Sequence, residues 1–314
     1  MNCPVCDGNK TSFLRLLYDD RYAYPGEFRL LKCRSCHHIF LEHSFLKQEI
    51  SEIYTNYYPR TSFNLDQHKP HKASGRFISW FNGEKSSSFR WVPKNIRVLD
   101  IGCGFGESLG YHARRGCQVY GVDADKNLNR VAKKYGYQVH VGNFDASLYD
   151  SDYFDYVTLD QVIEHFIDPK EAIRGVAQIL KPGGYAILST PNVNGWGRWA
   201  FKQRWINWHA PYHLQYFSNK SMKRLVDSEG FEVDKIYTIT NSDWLYYQWL
   251  HLLMYPKSGR PSGFWTLQNK MPKMKRVQMK IITILHKLKI NHLITRFFDG
   301  IGLGDNRVYI LRKR

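Results

Sequence analysis

At 314 residues, the chain is long enough for one large domain plus an appendage. No run of about 18 apolar residues occurs, which excludes a spanning helix. The first residues, Met-Asn-Cys-Pro-Val-Cys, lack the charged-then-apolar pattern of a secretory signal, so a cytoplasmic protein is expected, at most peripheral to the inner face of the membrane. The formal net charge of +17 is uneven: Lys257 to Arg314 carries fourteen Lys or Arg against two Asp, which is +12, and leaves +5 for the remainder. A general polyanion binder would spread that charge along a face or groove.

In chain order, residues 1–45 read as a zinc-ribbon-like domain. Cys3, Cys6, Cys33 and Cys36 form two C-x-x-C knuckles with 26 residues between them. Paired knuckles without an export signal read as a tetrahedral, structural Zn²⁺ site. Two redox pairs are the alternative, but redox C-x-x-C motifs belong near a βαβ pattern, and these precede it. His37 and His38 follow the last knuckle and could replace a thiolate; four cysteines already fill the shell, so they read as surface residues. Residues 46–90 read as a helical and polar connection, with Ser, Asn, His and Lys dominating 61–88.

From Arg97 the pattern becomes regular. Strands are expected at 97–101, 118–122, 137–141, 154–159 and 185–190, with helices near 107–115, 126–135 and 169–179 between them. Such alternation specifies a parallel sheet covered on both faces. Lys181-Pro-Gly-Gly184 reads as a tight turn delivering the fifth strand. Ser218 can cap a helix that runs to Glu229 and ends at Gly230. Phe231 to Thr240 reads as a sixth strand and Arg307 to Arg312 as the last. The large domain is thus expected at 91–240 plus 307–314. Between lies a basic helical insertion, 241–306. It opens with an aromatic segment, Trp244 to Tyr255, and continues as one amphipathic stretch, Lys270 to Phe298. There Val277, Ile281, Ile284, Leu285 and Leu288 recur at helical spacing among lysines and arginines.

The richest stretch is 98–106, Val-Leu-Asp-Ile-Gly-Cys-Gly-Phe-Gly. An apolar strand runs into Asp100 and then into Gly102, Gly104 and Gly106. Glycines there let the backbone turn sharply and lie close to a ligand. The following helix offers unpaired N–H groups. Asp123 ends the next strand and can accept both hydroxyls of a ribose. Ligands bind beyond the carboxyl ends of parallel strands where the chain order reverses. In the dinucleotide fingerprint G-x-G-x-x-G the third glycine packs helix on strand; here that position is Glu107. The details favour S-adenosylmethionine (AdoMet). A tight strand–helix turn without a ligand is the bland alternative.

Over 97–240, and again at 307–314, the chain resembles the class I AdoMet-dependent methyltransferases. Val98 to Gly106 matches their first motif, Asp123 the ribose-binding acid, and Gly142-Asn143 the position near the adenine. Asp155 through Pro169, Leu180-Lys-Pro-Gly-Gly and Ser189-Thr-Pro-Asn resemble the fourth- and fifth-strand segments. These last stretches are similar to the ubiquinone-biosynthesis O-methyltransferases. The resemblance implies an α/β, Rossmann-like, seven-stranded and mostly parallel sheet in the order 3-2-1-4-5-7-6, with the last strand antiparallel. It implies a cofactor site at Asp100, Gly102, Cys103, Gly104, Gly106, Asp123, Ala124, Asn143, Phe144, Asp160 and Gln161. Family members often carry an acid where Asn143 stands. Zinc ribbons precede such a core in sugar C-methyltransferases, which keeps that acceptor class open.

The methyl of a sulfonium is strongly electrophilic, so alignment and exclusion of water are the protein's main tasks. A hydroxyl acceptor gains if a neutral histidine takes its proton. His165, after the fourth strand, and His209 and His213, after the fifth, are the candidates; a core-rim residue and loop anchors are their structural readings. Trp196, Trp199, Trp205 and Trp208 read as the wall of an acceptor pocket or as a packed lid. The expected partner is a small-molecule, sugar or lipid-linked acceptor. An anionic membrane surface is the expected neighbour if segment 244–298 is interfacial; a cap over the active site or a dimer contact is the alternative. A nucleic-acid-binding protein using the ribbon and basic tail is the competing class. Nucleic acid is not the expected substrate: Leu159-Asp-Gln-Val stands where base-amine methylases carry Asn/Asp-Pro-Pro-aromatic, and no cysteine follows Cys117.

Overall fold

The computed structural model describes residues 2–42, 45, 49, 53, 56–57, 64–66, 68–266 and 272–314. Of the connection expected at 46–90, most of 46–63 lies outside the described residues, as does Lys270 at the head of the amphipathic stretch.

Among the described residues, eleven strands build two sheets. The apolar runs from Arg97 onward form the larger one: β4 (Arg97–Ile101), β5 (Gln118–Asp123), β6 (Gln138–Val141), β7 (Phe154–Asp160), β8 (Leu180–Pro191), β10 (Phe231–Thr238) and β11 (Asn306–Lys313). Their order is β6-β5-β4-β7-β8-β11-β10. Pairs β6–β5, β5–β4, β4–β7 and β7–β8 are parallel, whereas β11 runs antiparallel to both β8 and β10. Counted within this sheet the order is 3-2-1-4-5-7-6, the Rossmann-like arrangement that the resemblance implies. Val98, Leu99 and Ile101 are all buried because helices cover both faces. The chain order reverses between β4 and β7, which opens a crevice at their carboxyl ends.

Helices follow the expected periodicity. Helices α2 (Glu107–Ala113) and α3 (Leu128–Tyr135) follow β4 and β5. Helix α4 (Pro169–Ile179) starts where the Asp168 side chain accepts the Glu171 N–H, with proline in the first turn. It buries Ala172, Ile173, Val176 and Ile179 on one stripe. Helix α6 (Asn219–Ser228) opens with a reciprocal capping box between Ser218 and Ser221.

Four expectations change. Strand β8 begins at Leu180, so Lys181–Gly184 is not a separate turn; it is absorbed as an irregularity in pairing near Phe154 and Tyr156, with Gly183 at φ 73°. The small sheet is not confined to 1–45. Its order is β1 (Thr11–Leu17), β2 (Phe28–Cys33), β3 (Ile39–Leu41) and β9 (Gln215–Tyr216), and β9 comes from the body of the chain, pairing Ile39 with Tyr216. His38 is not a surface residue. It is buried at this joint, with Nε2 2.9 Å from Gln215 Oε1, and burial lowers its pKa to about 4. Finally, the amphipathic stretch is two helices. After α7 (Asp243–Leu253), α8 (Lys273–Lys287) and α9 (Ile290–Gly300) are separated at Lys289, which takes a left-handed φ of 65°.

Two further short helices among the described residues are α1 (Arg76–Asn82) and α5 (Trp196–Phe201). Helix α1 lies against α9, where Phe81 meets His292 at 5.2 Å and Arg296 Nη1 donates to Trp80 O. No helix among the described residues is long and apolar enough to cross a membrane.

Candidate active site

The loop after β4 is shaped by backbone that other residues would resist. Gly102 lies at φ 74° and Gly104 at φ 56°. A Cβ on Gly102 would stand 2.3 Å from Val162 Cγ2, whereas one on Gly104 would meet nothing within 4 Å. Gly102 therefore packs against the exit of β7, and Gly104 faces open space. Gly106 ends the loop as the residue before α2. The Gly104 N–H donates to Asp123 Oδ2 at 2.8 Å, and the Asp125 N–H donates to Oδ1 at 2.8 Å. Asp123, at the tip of β5, is thus aimed at the loop.

The other expected cofactor residues divide by orientation. Asp100 is buried: Ser108 Oγ donates to Oδ2 and Thr158 Oγ1 donates to Oδ1 at 2.7 Å. Burial raises its pKa to about 7 against those two bonds. Asp100 therefore ties β4, β7 and α2 together and does not present its side chain to the crevice. The Cys103 side chain turns inward to pack with Leu109 and Leu128, and only its backbone lines the loop. Phe144 packs against the core beside Gly175. Ala124 and Asn143 are exposed at the ends of β5 and β6, and the Gly142 N–H donates to Asp123 O, drawing those two ends together.

Across the crevice, Asp160 ends β7. Its Oδ1 accepts from the Ser88 N–H at 2.9 Å and from Ser189 Oγ, and burial raises its pKa. Gln161 follows at φ 56° and donates to Asn306 Oδ1 at 2.8 Å. A strap missed in the sequence crosses the first turn of α2: the His71 N–H donates to Glu107 O at 3.1 Å, and the His71 ring stacks on Phe89 at 4.9 Å.

All three candidate histidines meet, although His165 stands far from the other two in sequence. His165 and His213 are edge to face at 4.7 Å, and His213 and His209 at 4.9 Å. His165 Nδ1 lies 2.9 Å from Tyr212 O and His213 Nδ1 2.9 Å from Asn207 O. A neutral ring donates from the nitrogen facing a carbonyl, so at His213 the geometry puts the proton on Nδ1 and the lone pair on Nε2, whereas His165 has a second backbone partner at Gln161. Burial lowers His165 to about 4 and holds His209 and His213 well below the usual imidazole range, with the Arg21 guanidinium adding to each. Glu164 is buried beside them; Thr190 Oγ1 donates to its Oε2 at 3.0 Å, and burial pushes its pKa up to about 8. Glu164, His165 and His213 bring one donor atom each within 4.8 Å of one another.

The small sheet also reaches this cluster, which the sequence did not announce. Asp19 accepts the N–H groups of Arg21, Tyr22 and Tyr24 and so folds the loop between β1 and β2. Tyr22 then meets His209 at 6.1 Å and Tyr212 at 5.5 Å. Arg21 is buried, donates to Ile206 O at 2.6 Å, and lies 4.3 Å over the Trp265 ring. The tryptophans resolve differently from a pocket wall. Trp205 and Trp208 are packed in the cluster with Leu30, Leu41 and Tyr216, and their indole N–H groups donate to Asp305 Oδ1 and Lys202 O. Trp196 stacks on Phe298 at 4.2 Å, and Trp199 is exposed.

The four knuckle cysteines converge. Cys3 and Cys36 Sγ are 3.5 Å apart, Cys6 and Cys33 Sγ 3.6 Å, and all four lie within 4.8 Å of one another. Tetrahedral thiolates at a Zn–S distance of about 2.3 Å stand about 3.8 Å apart, so the donor set fits zinc.

The model of the family described as "Methyltransferase domain" matches residues 76–236, from α1 into β10. Among curated relatives, the ubiquinone biosynthesis O-methyltransferase of Alkalilimnicola ehrlichii is 39% identical over 105 residues, which is 31% of this chain and 42% of that protein. That of Coxiella burnetii is 35% identical over 107 residues, 32% of this chain and 46% of that protein. The chain thus spans less than half the length of these relatives. The cyclopropane synthase MmaA2 of Mycobacterium tuberculosis is similar at a TM-score of 0.47 and 18% identity, covering 75% of this chain and 84% of that one. The family match takes in the glycine loop, Asp123, Asp160 and the His165 turn over half the chain, and the chain belongs to the methyltransferase domain family.

Proposed function

We propose that the chain is an AdoMet-dependent methyltransferase acting on a hydroxyl of a small molecule. The observation that carries this reading is the Gly104 N–H bonded across to Asp123, which frames an open glycine-walled crevice at the switch point of the sheet. Asp123 is assigned the ribose hydroxyls, the backbone at Gly102–Gly106 the amino-acid end, Ala124, Asn143 and the Phe144 backbone the adenine side, and Asp160 and Gln161 the opposite wall. When bound, AdoMet supplies a methyl on a positively charged sulfur, and the protein's contribution is alignment in a dry site.

His213 is assigned the proton of the acceptor. Asn207 O holds its Nδ1, burial keeps it neutral, and Nε2 is left to accept. His165 and His209 flank it and fix its ring. The hydroxyl class follows the relatives, which are named O-methyltransferases. Structural zinc at Cys3, Cys6, Cys33 and Cys36 completes the reading, and its task is to hold the small sheet whose β1–β2 loop reaches the histidines.

Calorimetry with AdoMet and with S-adenosylhomocysteine tests the proposal. Saturable binding of both supports it; no measurable uptake of either overturns it.

A further inference from the structure

We propose that α8, α9 and α1 form a docking face for the surface of an anionic lipid bilayer. Helix α8 buries none of its residues. Met274, Val277, Ile281, Ile284, Leu285 and Leu288 are all exposed, with Ile281 at 52% and Ile284 at 55%. At 3.6 residues per turn they fall on one stripe about 100° wide, the proportion of an interfacial helix. The opposite side of α8 makes the contacts with the protein: Thr283 with Tyr246 and His286 with Asp243. The apolar stripe therefore faces away from the body of the chain and does not cap the crevice.

The adjoining helices extend the surface. Helix α9 turns Asn291, His292, Thr295 and Arg296 inward and leaves Leu293 and Phe297 outside, Phe297 at 62%. Helix α1, held to α9 through Arg296 and Phe81, exposes Phe77, Ile78 and Trp80, with Trp80 at 57%. Polar side chains inside and apolar ones outside, on neighbouring helices, invert the usual order. Exposed apolar area on this scale marks a site of association.

Charge selects the occupant. Lys273, Lys280 and Lys287 recur every seven residues along one flank of the stripe, and Arg276 lies beside them. Residues 256–298 contain no Asp or Glu. A second copy of the chain would bring an equally basic face with no carboxylate to answer it. An anionic headgroup layer answers it along the whole flank, and the stripe and Trp80 enter the acyl boundary. The proposal stands apart from the methyl-transfer reading, because lipid binding is read without the donor or the acceptor.

Co-sedimentation of the full chain with phosphatidylglycerol-containing and with pure phosphatidylcholine vesicles tests it. Binding is expected to the first only, weakening as salt is added. Ile281→Asp with Ile284→Asp is expected to abolish binding even at low salt. Replacing Lys273, Lys280 and Lys287 with Gln is expected to weaken it about fivefold per lysine. Phe297→Ser, on a different helix, is expected to weaken binding with the thermal melt unchanged. Equal partitioning of the parent and the double Asp variant overturns the proposal. So does sedimentation equilibrium showing a dimer that the double Asp variant dissociates, because the face would then belong to a second copy.

Discussion

Asp123 and Asp100 are both carboxylates at the ends of neighbouring strands, yet their surroundings give them different work. Asp123 is partly open and ties the loop through Gly104, so Asp123→Ala is expected to weaken AdoMet binding by about 1.5–3 kcal/mol, measured by calorimetry. Asp100 is sealed in, and burial raises it from 3.8 to about 7. The fold then disfavours its charged form. The Asp100 contribution to stability is complete below about pH 3.8 and is lost as pH rises toward 7. Asp100→Asn is expected to flatten the melting temperature over that window, measured in the donor-free protein; an unchanged slope would contradict the burial assigned here. The sequence marked both acids for the cofactor. It could not separate them, because what distinguishes them is Ser108 and Thr158 closing over one and not the other.

At the scale of elements, the glycine loop makes two separable predictions. Gly102→Ala places a Cβ against Val162 at a left-handed φ, and a loss of about 1–3 kcal/mol in stability is expected from denaturant unfolding. Gly104→Ala carries the left-handed cost without the clash, and its Cβ points into open space. It is expected to remain folded and to lose donor affinity by more than it loses stability. The helices of the core were legible because each announces itself locally: Asp168 and Pro169 start α4, and Ser218 and Gly230 bracket α6. The break between α8 and α9 was not. Lys289 is no recognised helix terminator, and its left-handed φ is set by α9 turning to seat His292 and Arg296 on α1.

For the whole molecule, the consequential feature is that the small sheet is completed by β9 and reaches the histidine cluster through Tyr22 and Arg21. Chelation of the metal, or Cys33→Ser, is expected to release one zinc per chain and to expose Trp205 and Trp208. A red shift of tryptophan emission would report this. The same treatment is expected to lower turnover, because the loop that packs against His209 loses its support. A chelated protein with unaltered emission would show that the cysteines carry no structural metal.

Local pattern was enough for the strand and helix positions of the core, the glycine loop and the four-cysteine cluster; the sheet order came from the family resemblance. Each of those three rests on residues close in sequence, or on a spacing that a repeating geometry imposes: period two for strands, 3.6 for helices and C-x-x-C for a knuckle. The histidine cluster, the burial of Trp205, Trp208 and His38, and the outward apolar stripe of α8 were decided by packing. They depend on which distant segments lie against one another. Burial is a property of those encounters, and the same His, Trp or Ile side chain is a core residue, a site or a docking surface according to what the fold lays over it.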